Sequence, residues 1–160
     1  MKKLLRLILL GLIAYPAINL MVSCSEEEDC SATSRPMAHC YIYKMSGEKV
    51  LNDTLDSLTI KTLGTDSVII NNQKKVREIF LPLKYVDETT VLVFHYSKTL
   101  RDTVRIYHTN TPYFVSMDCG YQMKQKIDSV SYSKHAIQSI KINNSQAGTD
   151  GKENLQLFYK

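Results

Sequence analysis

The sequence predicts an all-β fold, a single antiparallel β-sandwich. Three observations predict it. Between turn-forming residues the apolar side chains alternate with a period of two rather than 3.6. Polar turns recur at the short spacing of sandwich strands. No other segment carries a helical apolar stripe of useful length. With 160 residues the chain is long enough for one domain and one core. Its composition, 44% hydrophobic and 22% charged, excludes a disordered polymer and a multi-span membrane protein.

Residues 1–23 read as a three-part secretory signal. Lys2, Lys3 and Arg6 supply the positive start, and Leu7 to Leu20 supply an apolar run containing Asn19 and interrupted by Pro16. That run is short for a membrane span, which needs about 20 apolar residues. Lys and Arg total 20 against 16 Asp and Glu, but without those three the balance is 17 against 16. Charge therefore makes no case for a nucleic-acid partner. Leu20-Met21-Val22-Ser23-Cys24 resembles the bacterial lipobox, which implies that Cys24 is acylated and becomes the mature amino terminus. Two acyl chains already hold a protein stably on a membrane, so a tri-acylated Cys24 implies the membrane as partner through a lipid anchor. Ser25-Glu26-Glu27-Glu28-Asp29 repels itself and reads as solvated tether. It also resembles the lipoprotein export signal of Bacteroidetes, which implies the outer membrane, with the protein on its surface-exposed or periplasmic face. The expected division is 1–23 lipoprotein signal peptide, 24–35 lipidated acidic tether and 36–160 β-sandwich domain.

The strands follow in order. Met37 to Lys44 alternates Ala38, Cys40 and Ile42 with His39, Tyr41 and Tyr43. Ser57 to Leu63 pairs Leu58 with Ile60 and ends at the Gly64-Thr65-Asp66 turn. Ser67 to Ile70 follows, and Asn71-Asn72-Gln73 reads as a second turn, leading into Val76 to Leu83. Thr89 to Tyr96 is apolar on both faces and reads as a central strand. Asp102 to His108 places Val104 and Ile106 inward, with Thr103 and Arg105 outward. Tyr113 to Met117, Tyr121 to Tyr132, Ile137 to Ile142 and Leu155 to Tyr159 complete the series. Met123 to Ile127 is also compatible with the start of a helix. Asn143 to Glu153 is the longest expected loop.

The mature chain resembles a family of small, uncharacterised Bacteroidetes lipoproteins. The residues that carry the resemblance are Cys24, Cys30, Arg35-Pro36, Leu81-Pro82-Leu83, Asp102 to Ile106, Cys119-Gly120-Tyr121 and Leu155 to Tyr159. It implies an anchored address and a single β-domain, and brings no activity with it. Cys40 is an addition to the usual cysteine pair. An acylated Cys24 leaves three cysteines in an oxidising compartment, an odd number. Cys30 and Cys119 lie in turn-rich sequence, whereas Cys40 shares a face with Ala38 and Ile42 and reads as a buried thiol. The expected disulfide is Cys30–Cys119, with Cys40–Cys119 as the next choice. Closing a loop of about 90 residues stabilises by roughly 4 kcal/mol through chain entropy.

No catalytic, cofactor or metal site is expected. His39 and Cys40 are adjacent and point to opposite faces of a strand, and His95, His108 and His135 are scattered. His-Glu-x-x-His, Gly-x-Ser-x-Gly and phosphate-binding glycine loops are missing. Two Ser-x-x-Lys matches, at Ser46–Lys49 and Ser131–Lys134, fall in a turn and a strand rather than on the helix that would bring amine to hydroxyl. Tyr41 and Tyr43, on one strand face, and Tyr96 and Tyr107, near strand ends, suit a protein or glycan partner, although half-buried sheets favour tyrosine anyway. Asp-Ser/Thr-aliphatic recurs at Thr54, Ser57, Ser67, Thr103 and Ser129. It resembles the O-glycosylation sequon of exported Bacteroidetes proteins and is equally the grammar of a strand start. The expected role is a non-catalytic binding or envelope-structural lipoprotein. The alternative is a fimbria-like assembly subunit that donates a strand such as Leu155 to Tyr159.

Overall fold

Alternation becomes strand wherever it is strong. In the computed structural model, which describes residues 35–47, 49–65 and 67–160, β1 (Met37–Ser46) buries Ala38, Cys40 and Ile42 and turns His39, Tyr41 and Tyr43 to the other face. Then come β2 (Lys49–Asn52), β3 (Leu55–Thr62), β4 (Val68–Val76), β5 (Glu78–Pro82) and β6 (Thr89–His95). β7 (Arg101–Ser116), β8 (Gly120–Tyr132), β9 (Ile137–Ile142), β10 (Gln146–Ala147) and β11 (Leu155–Tyr159) complete the chain. The described residues belong to one compact unit. Among the described residues no helix is long and apolar enough to cross a membrane.

The strands form two packed sheets. One has the order β2-β1-β11-β9, with β5 also on β1; the other has the order β10-β8-β7-β6-β3-β4. Ala38, Cys40, Ile42, Leu155 and Leu157 from the first meet Leu58, Ile60, Leu92, Phe94, Val104, Ile106 and Ile127 from the second. As its two apolar faces required, β6 is central, between β7 and β3.

Four expectations need correcting. The sandwich is not purely antiparallel: β11 runs parallel to β1, from Cys40↔Leu155 to Lys44↔Tyr159, and antiparallel to β9. Leu155, Leu157, Phe158 and Tyr159 are all buried, so the strand is covered on both faces and takes an interior place in its sheet. Second, Asn71-Asn72-Gln73 does not turn the chain but lies within β4. Asn72 and Lys75 take left-handed φ values of 46° and 50° there, and the β3–β4 register slips twice. Asparagine tolerates that region, so a bulge gives the same sequence signal as a turn. Third, the single strand expected from Val76 to Leu83 breaks at Arg77. Val76 pairs Leu55 in one sheet and Glu78 pairs Tyr41 in the other. Fourth, Asp102–His108 and Tyr113–Ser116 belong to one strand of 16 residues, β7, which pairs with β8, the strand expected through Tyr132. The expected loop Asn143–Glu153 contains the short β10.

Candidate binding site

The outer face of β1 carries an aromatic row because alternation sends His39, Tyr41 and Tyr43 away from the core. The pairing of β1 with β5 sets Phe80 opposite His39. Their rings stack at 4.0 Å, and Tyr41 lies 5.0 Å from His39. Further along, Tyr43 stacks on Phe158 at 5.6 Å. Hydrogen bonding to Glu78 raises the Tyr41 phenol above its usual value. Burial, and then a hydrogen bond to Glu153, push Tyr43 up to about 12. A cleft of about 190 Å³ opens beside His39, lined by Arg35, Met37, His39, Phe80, Gly148, Thr149 and Gly151.

His39 is held rather than free. Its Nδ1 lies 2.7 Å from the Gly151 carbonyl and its Nε2 3.3 Å from Glu78 Oε2. Arg35 at the rim donates to the Leu83 carbonyl at 2.8 Å and covers the Tyr85 ring at 4.3 Å. The wall is thus a rigid, amphipathic platform, suited to stacking a ring or an apolar side chain. Asn154 fixes its inner edge: the His39 amide donates to Oδ1, and Nδ2 donates to the carbonyls of Asn144 and Gln146.

The other buried polar groups act as struts. Asp102 is fully buried and accepts from Ser133 Oγ at 2.6 Å and from the amides of His135, Ala136 and Ile137 at 2.8–2.9 Å. Its Oδ1 also lies 3.1 Å from His135 Nδ1. Burial alone would raise this carboxyl, but the Ser133 hydroxyl and the three amides outweigh that and lower it to about 2. His108 bridges Thr90 and Asn110, with Nε2 2.9 Å from Thr90 Oγ1 and Nδ1 3.0 Å from Asn110 Oδ1. Burial lowers its pKa. Asn110 Nδ2 in turn donates to the carbonyls of Lys84, Tyr85 and Asp87 and holds that loop.

The expected site residues scatter over the fold. Tyr41 and Tyr43 do share the aromatic face. Tyr96 instead points into the protein, donating to the Tyr159 hydroxyl at 3.3 Å, and Tyr107 stands apart, exposed on β7. Phe80 and the glycines of the cleft wall were missed, because Phe80 reaches His39 only through the β1–β5 register and the glycines only through the Met37–Gly148 bridge and the loop before β11. Thr54 is exposed between β2 and β3, Ser67 is exposed before β4, and Ser129 is exposed on β8. Ser57 is half-buried and donates to the Tyr96 carbonyl at 3.3 Å. Thr103 is half-buried beside the Asp102 strut. Cys24 and Cys30 lie outside the described residues. Cys40 is a buried, free thiol, which overturns the second-choice Cys40–Cys119 pair. Its inward position between Ala38 and Ile42 separates it from Cys119, which lies in the β7–β8 turn. Cys119 itself is not free. Among the described residues no group of three His, Cys, Asp or Glu side chains is placed to hold a metal ion.

A family model, described as a family of unknown function (DUF6452), matches residues 57–159. The matched stretch takes in Asp102, Cys119 and β11 but not β1. Comparison with curated proteins finds no match, and neither does comparison with solved structures.

Proposed function

This chain belongs to the DUF6452 family of unknown function, and we propose that it is a lipid-anchored lipoprotein of the outer membrane that works as a non-catalytic binding module. The observation that carries the reading is the aromatic row of Phe80, His39 and Tyr41 beside a small cleft. The buried titratable groups support it, because Asp102, His108 and His39 are each engaged in holding loops or strands. Cys24 carries the acyl anchor and the acidic residues behind it form the tether. Cys119 pairs with Cys30: Cys40 is buried and free, and Cys24 is committed to lipid. Glycan attaches first at Thr54, which is exposed outside any strand. The fimbria-like alternative requires β11 to leave its place between β1 and β9, so it draws no support from the geometry.

Two measurements test this. Cells fed an alkyne-tagged palmitate label the parent, and the Cys24→Ser variant takes up none; equal labelling of both overturns the anchor. Crosslinking and pull-down from native envelopes recover a protein or glycan partner with the parent, and less of it with Phe80→Ala and Tyr41→Ala. Identical recovery with all three rejects the aromatic face as the binding surface.

A further inference from the structure

The β7–β8 pair outruns its neighbours. β6 leaves β7 at Tyr107, and β10 touches β8 at Gln125 and Lys126. Past these points Thr111–Ser116 pairs only with Gly120–Lys124 among the described residues. At about 3.3 Å per residue this ribbon reaches roughly 20 Å. Two-stranded ribbons are marginal in water, yet this one exposes large apolar side chains at its end. Met117 is 90% exposed, Tyr121 74% and Phe114 51%, with Phe114 and Tyr121 paired edge to face at 5.5 Å. The Lys124 ammonium lies over the Tyr113 ring at 4.9 Å. Asp118 is the acidic group of the turn.

We infer that this tip rests in the headgroup layer of the bilayer that carries the anchor. The inference rests on the reading above, in which Cys24 is acylated and Cys30 is bonded to Cys119. Cys119 lies in the turn of the ribbon, and six residues separate Cys30 from the lipid. Fully extended, they span at most about 20 Å, so the turn cannot leave the neighbourhood of the membrane surface. Phenylalanine, tyrosine and methionine beside a lysine are side chains that partition into that layer. The ribbon goes no deeper, because its outer edges carry backbone groups that hydrocarbon would leave without partners. The acidic residues after Cys24 repel anionic headgroups, which makes a zwitterionic surface the favourable one.

The chain has no tryptophan, so a single introduced one reports without background. Full-length lipoprotein carrying Met117→Trp, and separately Tyr121→Trp, is reconstituted into phosphatidylcholine vesicles with nitroxide on the headgroups. Thr99→Trp, in the turn at the opposite end of β7, is the reference. Mass spectrometry of the same preparations reads the acyl chains on Cys24 and the Cys30–Cys119 link. Both tip variants are expected to emit further to the blue than the reference and to be quenched several-fold more strongly. If acylated, linked protein shows tip quenching no greater than the reference, the tip docking is wrong while the anchor stands. If the acyl chains are missing, the anchored reading fails and the docking with it; if only the link is missing, the docking fails while the anchor stands.

Discussion

Removing the charge at Asp102 is the sharpest test of how this sandwich is held. The carboxylate is 0% exposed and joins the start of β7 to the Ser133–Ile137 segment that leads into β9. Asp102→Asn keeps the shape but turns an NH₂ group toward donors. Either orientation leaves two donors facing that group: the Ala136 and Ile137 amides, or those around Oδ1. Each unsatisfied buried group costs about 1–3 kcal/mol. From the native side, lowering the carboxyl from 3.8 to about 2 corresponds to roughly 2 kcal/mol, at about 1.4 kcal/mol per unit. A loss of about 4 kcal/mol is therefore expected at pH 7, or a fall in Tm of roughly 15 °C for a domain of this size. Thermal unfolding of the full chain in detergent, followed by circular dichroism, measures it. The pH dependence has a definite sign. A depressed native pKa stabilises above the unfolded value of 3.8 and loses that contribution as pH falls through about 2. The gap between parent and variant must therefore narrow across that window. A variant within about 1 kcal/mol of the parent, or a gap that ignores pH there, refutes the reasoning.

Other perturbations probe separate struts. Burial depresses His108, so the unfolded chain takes up its proton first. The contribution is complete above about 6.5 and declines as pH falls below it. Urea unfolding should show a shallower slope below that pH for His108→Gln, and equal slopes would count against the buried neutral ring. Burial pushes the Cys40 thiol up, so iodoacetamide should modify it only after unfolding. Prompt native labelling, seen by peptide mass, would place it elsewhere than the core. Asn154→Ala removes the acceptor of the His39 amide and a donor to two carbonyls, at an expected cost of about 2–4 kcal/mol. Hydrogen exchange at the His39 amide should accelerate in that variant, and an unchanged rate would argue against the clamp.

Much of the fold was legible because burial on one face of a sheet imposes alternation. Ala38, Cys40 and Ile42 on β1, and Val104 and Ile106 on β7, showed it without ambiguity. What misled was chemistry that serves two geometries. Asn71-Asn72-Gln73 reads as a turn, yet the same tolerance of left-handed φ allows a bulge inside β4. Thr109 to Pro112 lacks an apolar pattern and looked like a break. There β7 leaves the core and continues as part of the ribbon, so burial no longer writes a pattern into it. The candidate face was half legible: Tyr41 and Tyr43 follow from local alternation. Phe80 and Gly151 come from distant segments, and only strand register puts them beside His39. Asp102 looked like one of five equivalent Asp-Ser/Thr-aliphatic starts. Nothing local distinguishes the fully buried one from Asp56 and Asp128, which are exposed.

The parallel seam between β1 and β11 has a consequence for how the chain reaches this state. β1 finds its parallel partner, β11, more than a hundred residues later. A polypeptide made from its amino terminus therefore holds one edge of β1 unsatisfied until β11 has been made. Contacts so remote in sequence form slowly, since a large loop must close before they repay the closure. The first sheet accordingly closes only once β11 is available, and deleting Leu155–Tyr159 removes the piece that locks it.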